Sequence, residues 1–84
     1  MIVVLGDIAM DIVSKLRTPL RRGSDAGAEV RLMPGGSGAN VAVWLARLGQ
    51  AVTFIGRIGD DFFGRWLADD LRQEGVTPAL IVRY

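Results

Sequence analysis

No cysteine and no histidine occur among the 84 residues of this chain. Their absence removes a thiol nucleophile, a disulfide framework and the usual transition-metal ligands at once, and it fits a cytoplasmic protein. A surplus of one charge is also missing. Ten Lys and Arg against nine Asp and Glu leave a net charge of +1, and no basic stripe interleaved with aromatics appears, so nucleic acid is not the expected partner. Nor is there a long unbroken apolar run. The opening MIVVLGDIAMDIV is interrupted by Asp7 and Asp11 and has no basic leader, which argues against a signal peptide or a membrane span. Finally, 84 residues fall short of a usual α/β domain and permit only a thin core.

What is present is apolar. Half the residues are hydrophobic and the mean hydropathy is +0.31, a balance suited to strands buried on both faces. Met1 to Leu5 is a short β-branched run ended by Gly6, the pattern of such a strand. Two weakly alternating segments follow, Asp11 to Leu16 and Ala28 to Met33, around a stretch, Thr18 to Gly27, that holds Pro19, Gly23 and Gly27. Those turn signals predict an exposed hairpin. Its Arg17, Arg21 and Arg22 read either as charges guarding an edge strand or as a basic lip over anionic phosphates.

From Ser37, a candidate N-cap, a helical pattern places Val41, Trp44, Leu45 and Leu48 toward the core and stops at Gly49. AVTFIGRIG returns to β character. A second helix opens at Asp60 or Asp61, turns Phe63, Trp66, Leu67 and Leu71 to one face and stops at Gly75. A last strand is expected over Val76 to Tyr84. The order is βαβαβ, which implies a parallel sheet joined by crossovers. Helices on one face alone would leave such a sheet partly uncovered, so the chain reads as the front of something longer.

The stretch PGGSGAN, residues 34 to 40, admits three accounts. A dinucleotide fingerprint would need a third glycine at position 41, which is Val41, and a P-loop would need Gly-Lys-Ser/Thr, so both phosphate-binding accounts are weak. A plain strand-to-helix turn using positive φ is the second. The third adds Asn40, whose amide offers a donor and an acceptor to a hydroxyl, while Gly35 and Gly36 let backbone approach a ligand closely. Trp44, Trp66, Phe62 and Phe63 sit at helical spacing, which points to core, although each could stack on a sugar or base. Adjacent Asp60 and Asp61 read as helix capping before metal binding.

Residues 34 to 64, PGGSGANVAVWLARLGQAVTFIGRIGDDFFG, resemble the N-terminal signature of the ribokinase-like (PfkB) carbohydrate kinases, and VVLGDIAMDIV is similar to that family's first strand. The likeness covers essentially all 84 residues. It implies a partial ribokinase-like three-layer α/β fold: a parallel sheet of βαβαβ order with a small β-hairpin lid at about residues 11–33, the whole chain being the N-terminal part of one domain. It further implies that Asp11 accepts hydrogen bonds from substrate hydroxyls, that Asn40 adds a polar contact, and that Gly35 and Gly36 form the hinge of the lid. A carboxylate accepting from hydroxyls would make charge-assisted bonds. Asp61 has an implied structural role. The family transfers the γ-phosphoryl of ATP to a sugar or nucleoside hydroxyl with Mg2+. Ala9 and Ser37 depart from the ribose-kinase pattern, which has Asn and Lys there. The family's catalytic GAGD-like segment and nucleotide pocket are absent from this sequence, so no catalytic, cofactor or metal residue is expected within it, and the chain alone should be inactive. A nucleoside kinase of the same family is the alternative substrate reading; a noncatalytic lid and oligomerisation module, with a homodimer through the lid, is the alternative of another class.

Overall fold

A computed structural model describes residues 1–79 and the backbone of residues 82 and 83. Strand β1 (Ile2–Leu5) is followed by a hairpin of β2 (Ala9–Leu16) and β3 (Ala28–Gly35), then α1 (Ser37–Arg47), β4 (Val52–Ile55), β5 (Arg57–Ile58), α2 (Phe62–Gln73), β6 (Val76–Pro78) and β7 (Val82–Arg83). Strands β1, β4 and β6 form a parallel sheet in that order, and β5 pairs in parallel with β7. The chain is therefore α/β with a parallel sheet and an antiparallel hairpin. The expected strand over 76–84 is interrupted after Pro78, and residues 80, 81 and 84 lie outside the described residues.

Register explains where the core sits. Ile2, Val52 and Val76 stand abreast, as do Val4, Phe54 and Pro78, and alternation puts all six on one face of the sheet. Val52, Phe54 and Val76 are buried there against Ala39 and Ala42 of α1 and Leu71 of α2. Both helices cover that face. The opposite face carries Val3 and Leu5, which are 57% and 79% exposed, so no helix covers that face among the described residues.

Local signals set the helix ends. Gly49 N–H donates to Ala46 O at 3.0 Å and Gln50 N–H to Leu45 O at 3.1 Å, the paired bonds of a Schellman stop. At the start of α2 the Asp61 carboxylate accepts from Gly64 N–H at 2.8 Å, so Asp61 is the cap.

The expected face of α1 is wrong by part of a turn. Val41, Trp44 and Leu48 are 51%, 62% and 75% exposed; Ala39 and Ala42 are buried, and Val43, Leu45 and Ala46 pack against the same cluster. A stretch that is apolar on most sides does not phase itself. Close packing decides instead: a Cβ on Gly38 would lie 2.8 Å from the Gly6 Cα, so the helix start presses on the end of β1 and only small side chains fit beneath it. Trp44 takes the Arg47 guanidinium over its ring at 5.2 Å. On α2, Leu67, Ala68 and Leu71 are buried, whereas Phe62 and Phe63, 67% and 48% exposed, meet edge to face at 5.6 Å rather than filling the core.

Candidate functional site

The hairpin has two chemically different faces. Met10 opposite Pro34, Ile12 opposite Leu32, Ser14 opposite Val30 and Leu16 opposite Ala28 share one. Asp11 opposite Met33, Val13 opposite Arg31 and Lys15 opposite Glu29 share the other, where Arg31 Nε donates to Glu29 at 3.0 Å. Asp11 therefore projects from the polar face near the root of the hairpin. Its carboxylate covers the next residue on that face, since a Cβ added to Gly35 would come within 2.7 Å of the Asp11 Cγ.

Gly35 ends β3, and Gly36 precedes α1 with φ 96°, a left-handed backbone that favours glycine. Asn40 follows in the first turn, exposed, with its N–H on Gly36 O at 2.9 Å. Gly35 and Asn40 line one cavity of about 150 Å³, whose wall also includes Trp44, Arg47, Asp70 and Glu74. Asp11 does not line that cavity. It reaches it only through Gly35, so the four expected contact residues form a chain in which neighbours touch.

Charge around the cavity is largely internal. Arg47 Nε and Nη2 donate to the two Glu74 carboxylate oxygens at 2.9 and 2.6 Å. That pairing holds the Glu74 carboxyl below its ordinary value and raises Arg47. Asp70 is pushed up, chiefly by burial.

Ser37 was expected to cap α1, but the capping position falls on Gly36, which has no side chain to offer. The acceptor comes instead from Asp7. Its Oδ1 accepts from Ser37 Oγ at 2.9 Å and from Gly38 N–H at 3.1 Å, and its backbone carbonyl accepts from Ala39 N–H at 3.0 Å. The Gly38 amide and then the Ser37 hydroxyl hold the Asp7 carboxyl below its ordinary value. Sequence reasoning noticed Asp7 only as a break in an apolar run. The available signal was a helix start with no acid in its first turn and an acid two residues past the end of β1.

These bonds also bear on anions and metals. A helix N-terminus attracts phosphate through free N–H groups, yet Gly38 and Ala39 N–H already point at Asp7. Among the described residues no group of three acidic or other ligating side chains could hold a metal ion. The described residues therefore do not fit a magnesium nucleotide. No described helix is long and apolar enough to cross a membrane.

The model of the pfkB family carbohydrate kinases matches residues 1–84. The chain belongs to that family. It is 39% identical over 80 residues to a fructokinase of Vibrio alginolyticus, covering 95% of this chain and 23% of that protein. To the ribokinase of Bacillus subtilis strain 168 it is 38% identical over 76 residues, covering 89% and 26%. A crystal structure of fructokinase with bound ATP from Xylella fastidiosa superposes with a TM-score of 0.77 at 38% identity, over 99% of this chain and 25% of that one. This pfkB chain thus spans about a quarter of the length of the relatives it matches.

Proposed function

We propose that the chain is the N-terminal, sugar-binding and lid portion of an ATP-dependent carbohydrate kinase that phosphorylates a sugar hydroxyl. The observation that carries this reading is the contact chain in which the Asp11 carboxylate covers Gly35 while Gly35 and Asn40 share a cavity wall, within a pfkB match over all 84 residues. In this reading Asp11 accepts from substrate hydroxyls, Asn40 offers a donor and an acceptor, and Gly35 and Gly36 let the hairpin move over the bound sugar. A site that pairs each hydroxyl rejects analogues lacking it, and a closed lid keeps water from the reacting oxygen. ATP supplies the phosphoryl group. The nucleotide and Mg2+ sites and the catalytic base belong to parts of the kinase outside these residues, so residues 1–84 alone transfer nothing. The compartment assigned is the cytoplasm, where ATP is available. A second copy of the chain is the partner assigned to the hairpin's apolar face.

The test is a thermal-shift screen of the complete protein against sugars, fructose and ribose included, and nucleosides, because a ligand that binds the native state raises its unfolding temperature. A shift with a sugar supports the reading; a shift with nucleosides alone replaces it by a nucleoside kinase, and none with either removes it. Asp11→Ala is expected to abolish sugar binding in calorimetry and leave ATP binding intact. Unchanged sugar affinity would refute the role given to Asp11.

A further inference from the structure

Both legs of the hairpin spring from one place, and Asp7 ties it together. The first leg starts at Ala9, two residues after Asp7, and the second ends at Gly35, two residues before Ser37. Between them the backbones of residues 6–8 and 36–38 are in direct contact. A Cβ on Gly36 would lie 2.7 Å from Ile8 Cα and 2.8 Å from the Asp7 carbonyl oxygen, and one on Gly38 would lie 2.9 Å from Asp7 N. Three donors from consecutive residues, Ser37 Oγ, Gly38 N–H and Ala39 N–H, end on Asp7. The next residue is Asn40.

We infer that Asp7 is a positioning residue for substrate binding, which through Ser37 and Gly38 fixes the first turn of α1, and with it Asn40, relative to the roots of the hairpin. The inference rests on the sugar-binding reading of Asn40 given above. An amide side chain pairs with a hydroxyl only over a narrow range of distance and angle, and its backbone starts from a glycine that imposes no direction of its own. Without an external anchor the turn would sample several orientations, and sugar binding would have to order it at a cost in affinity. The Asp7 carboxylate is that anchor. It occupies the place of a capping side chain and its charge is favourably placed at the positive end of the helix.

The geometry needs an acceptor oxygen at the Asp7 position, and asparagine supplies one. The test compares Asp7→Ala and Asp7→Asn with the parent in the complete protein, using calorimetry with ATP and with whichever sugar the screen identifies. Asp7→Ala is expected to weaken sugar binding about tenfold, the scale of one hydrogen bond to a charged group, with ATP affinity unchanged and Asp7→Asn close to the parent. Three results overturn the inference: unchanged sugar affinity in Asp7→Ala, equal losses for sugar and ATP, or an Asp7→Asn as damaged as Asp7→Ala, which would place the charge itself on the substrate. Should Asp7→Ala fail to fold, Ser37→Ala removes one of the donors and is expected to weaken sugar binding about threefold; no change there overturns the inference as well. Amide exchange separates this failure from failure of the sugar reading. Even with no sugar bound by the parent, exchange at Gly38 must speed up in Asp7→Ala and stay near the parent rate in Asp7→Asn if Asp7 anchors the turn, and unaltered exchange in Asp7→Ala refutes it.

Discussion

Asp7 and Asp11 stand four positions apart and do different work. Asp11 is exposed on the polar face of the hairpin with its carboxylate over Gly35, where the proposed function has it accept from a substrate hydroxyl. Asp7 already spends one oxygen on Ser37 and Gly38. Its folded pKa lies below the ordinary value of 3.8 because both bonds favour the carboxylate. An acid whose native pKa is lowered stabilises the fold above its unfolded pKa and loses that contribution as pH falls through the native one. Acidification below 3.8 is therefore expected to lower the unfolding temperature of the parent more than that of Asp7→Asn, and parallel melting curves against pH would contradict this. Asp11 was singled out in the sequence because its neighbours form a recognisable segment. Asp7 was not, because a cap is sought beside the helix it caps and this one lies thirty positions upstream.

Elements whose limits depend on neighbouring residues were read well. The stops at Gly49 and Gly75 and the start at Asp61, one of the two acids expected there, each involve partners within a few positions, so sequence carries them. Asp61→Ala is expected to cost about 1 kcal/mol in chemical denaturation, the usual worth of an N-cap, with Asp61→Asn nearly neutral; an unaltered midpoint in Asp61→Ala would show that the Gly64 amide is satisfied elsewhere. Of the α1 residues expected to face inward, Leu45 packs on the core while Val41, Trp44 and Leu48 do not. The segment from Ala39 to Leu48 is apolar at nearly every position, and its orientation is set by the contact of Gly38 with Gly6, which no periodicity contains. The same contact turns Trp44 outward onto Arg47. The hairpin strands run two residues further toward their roots than the alternation suggested, because Ala9 pairs with Gly35 and Met10 with Pro34, residues whose composition reads as turn.

The molecule as a whole is elongated, 52 × 30 × 18 Å with a radius of gyration of 15.9 Å, against about 12 Å for a compact domain of this length. The hairpin's apolar face leaves Ile12, Val30 and Leu32 exposed at 70%, 60% and 48%, the surface that the proposed homodimer would use. Replacing Ile12 and Leu32 together by serine is expected to convert a dimer of the complete protein to monomer in sedimentation velocity without changing ATP affinity. A monomeric parent would remove that assignment. The sheet's bare face, with Val3 and Leu5, is a separate apolar surface, in keeping with the apolar excess of the composition. Sequence alone determined the alternation of β and α segments, the helix stops and membership of the pfkB family, since each depends on residue types at short or fixed spacing; it did not divide the segment after α1 into β4 and β5, which join different sheets. Tertiary structure alone decided that Asp7 caps α1 and that alanines rather than Trp44 lie beneath it. Both follow from the parallel crossover, which lays the end of β1 against a helix start that the intervening hairpin keeps distant along the chain.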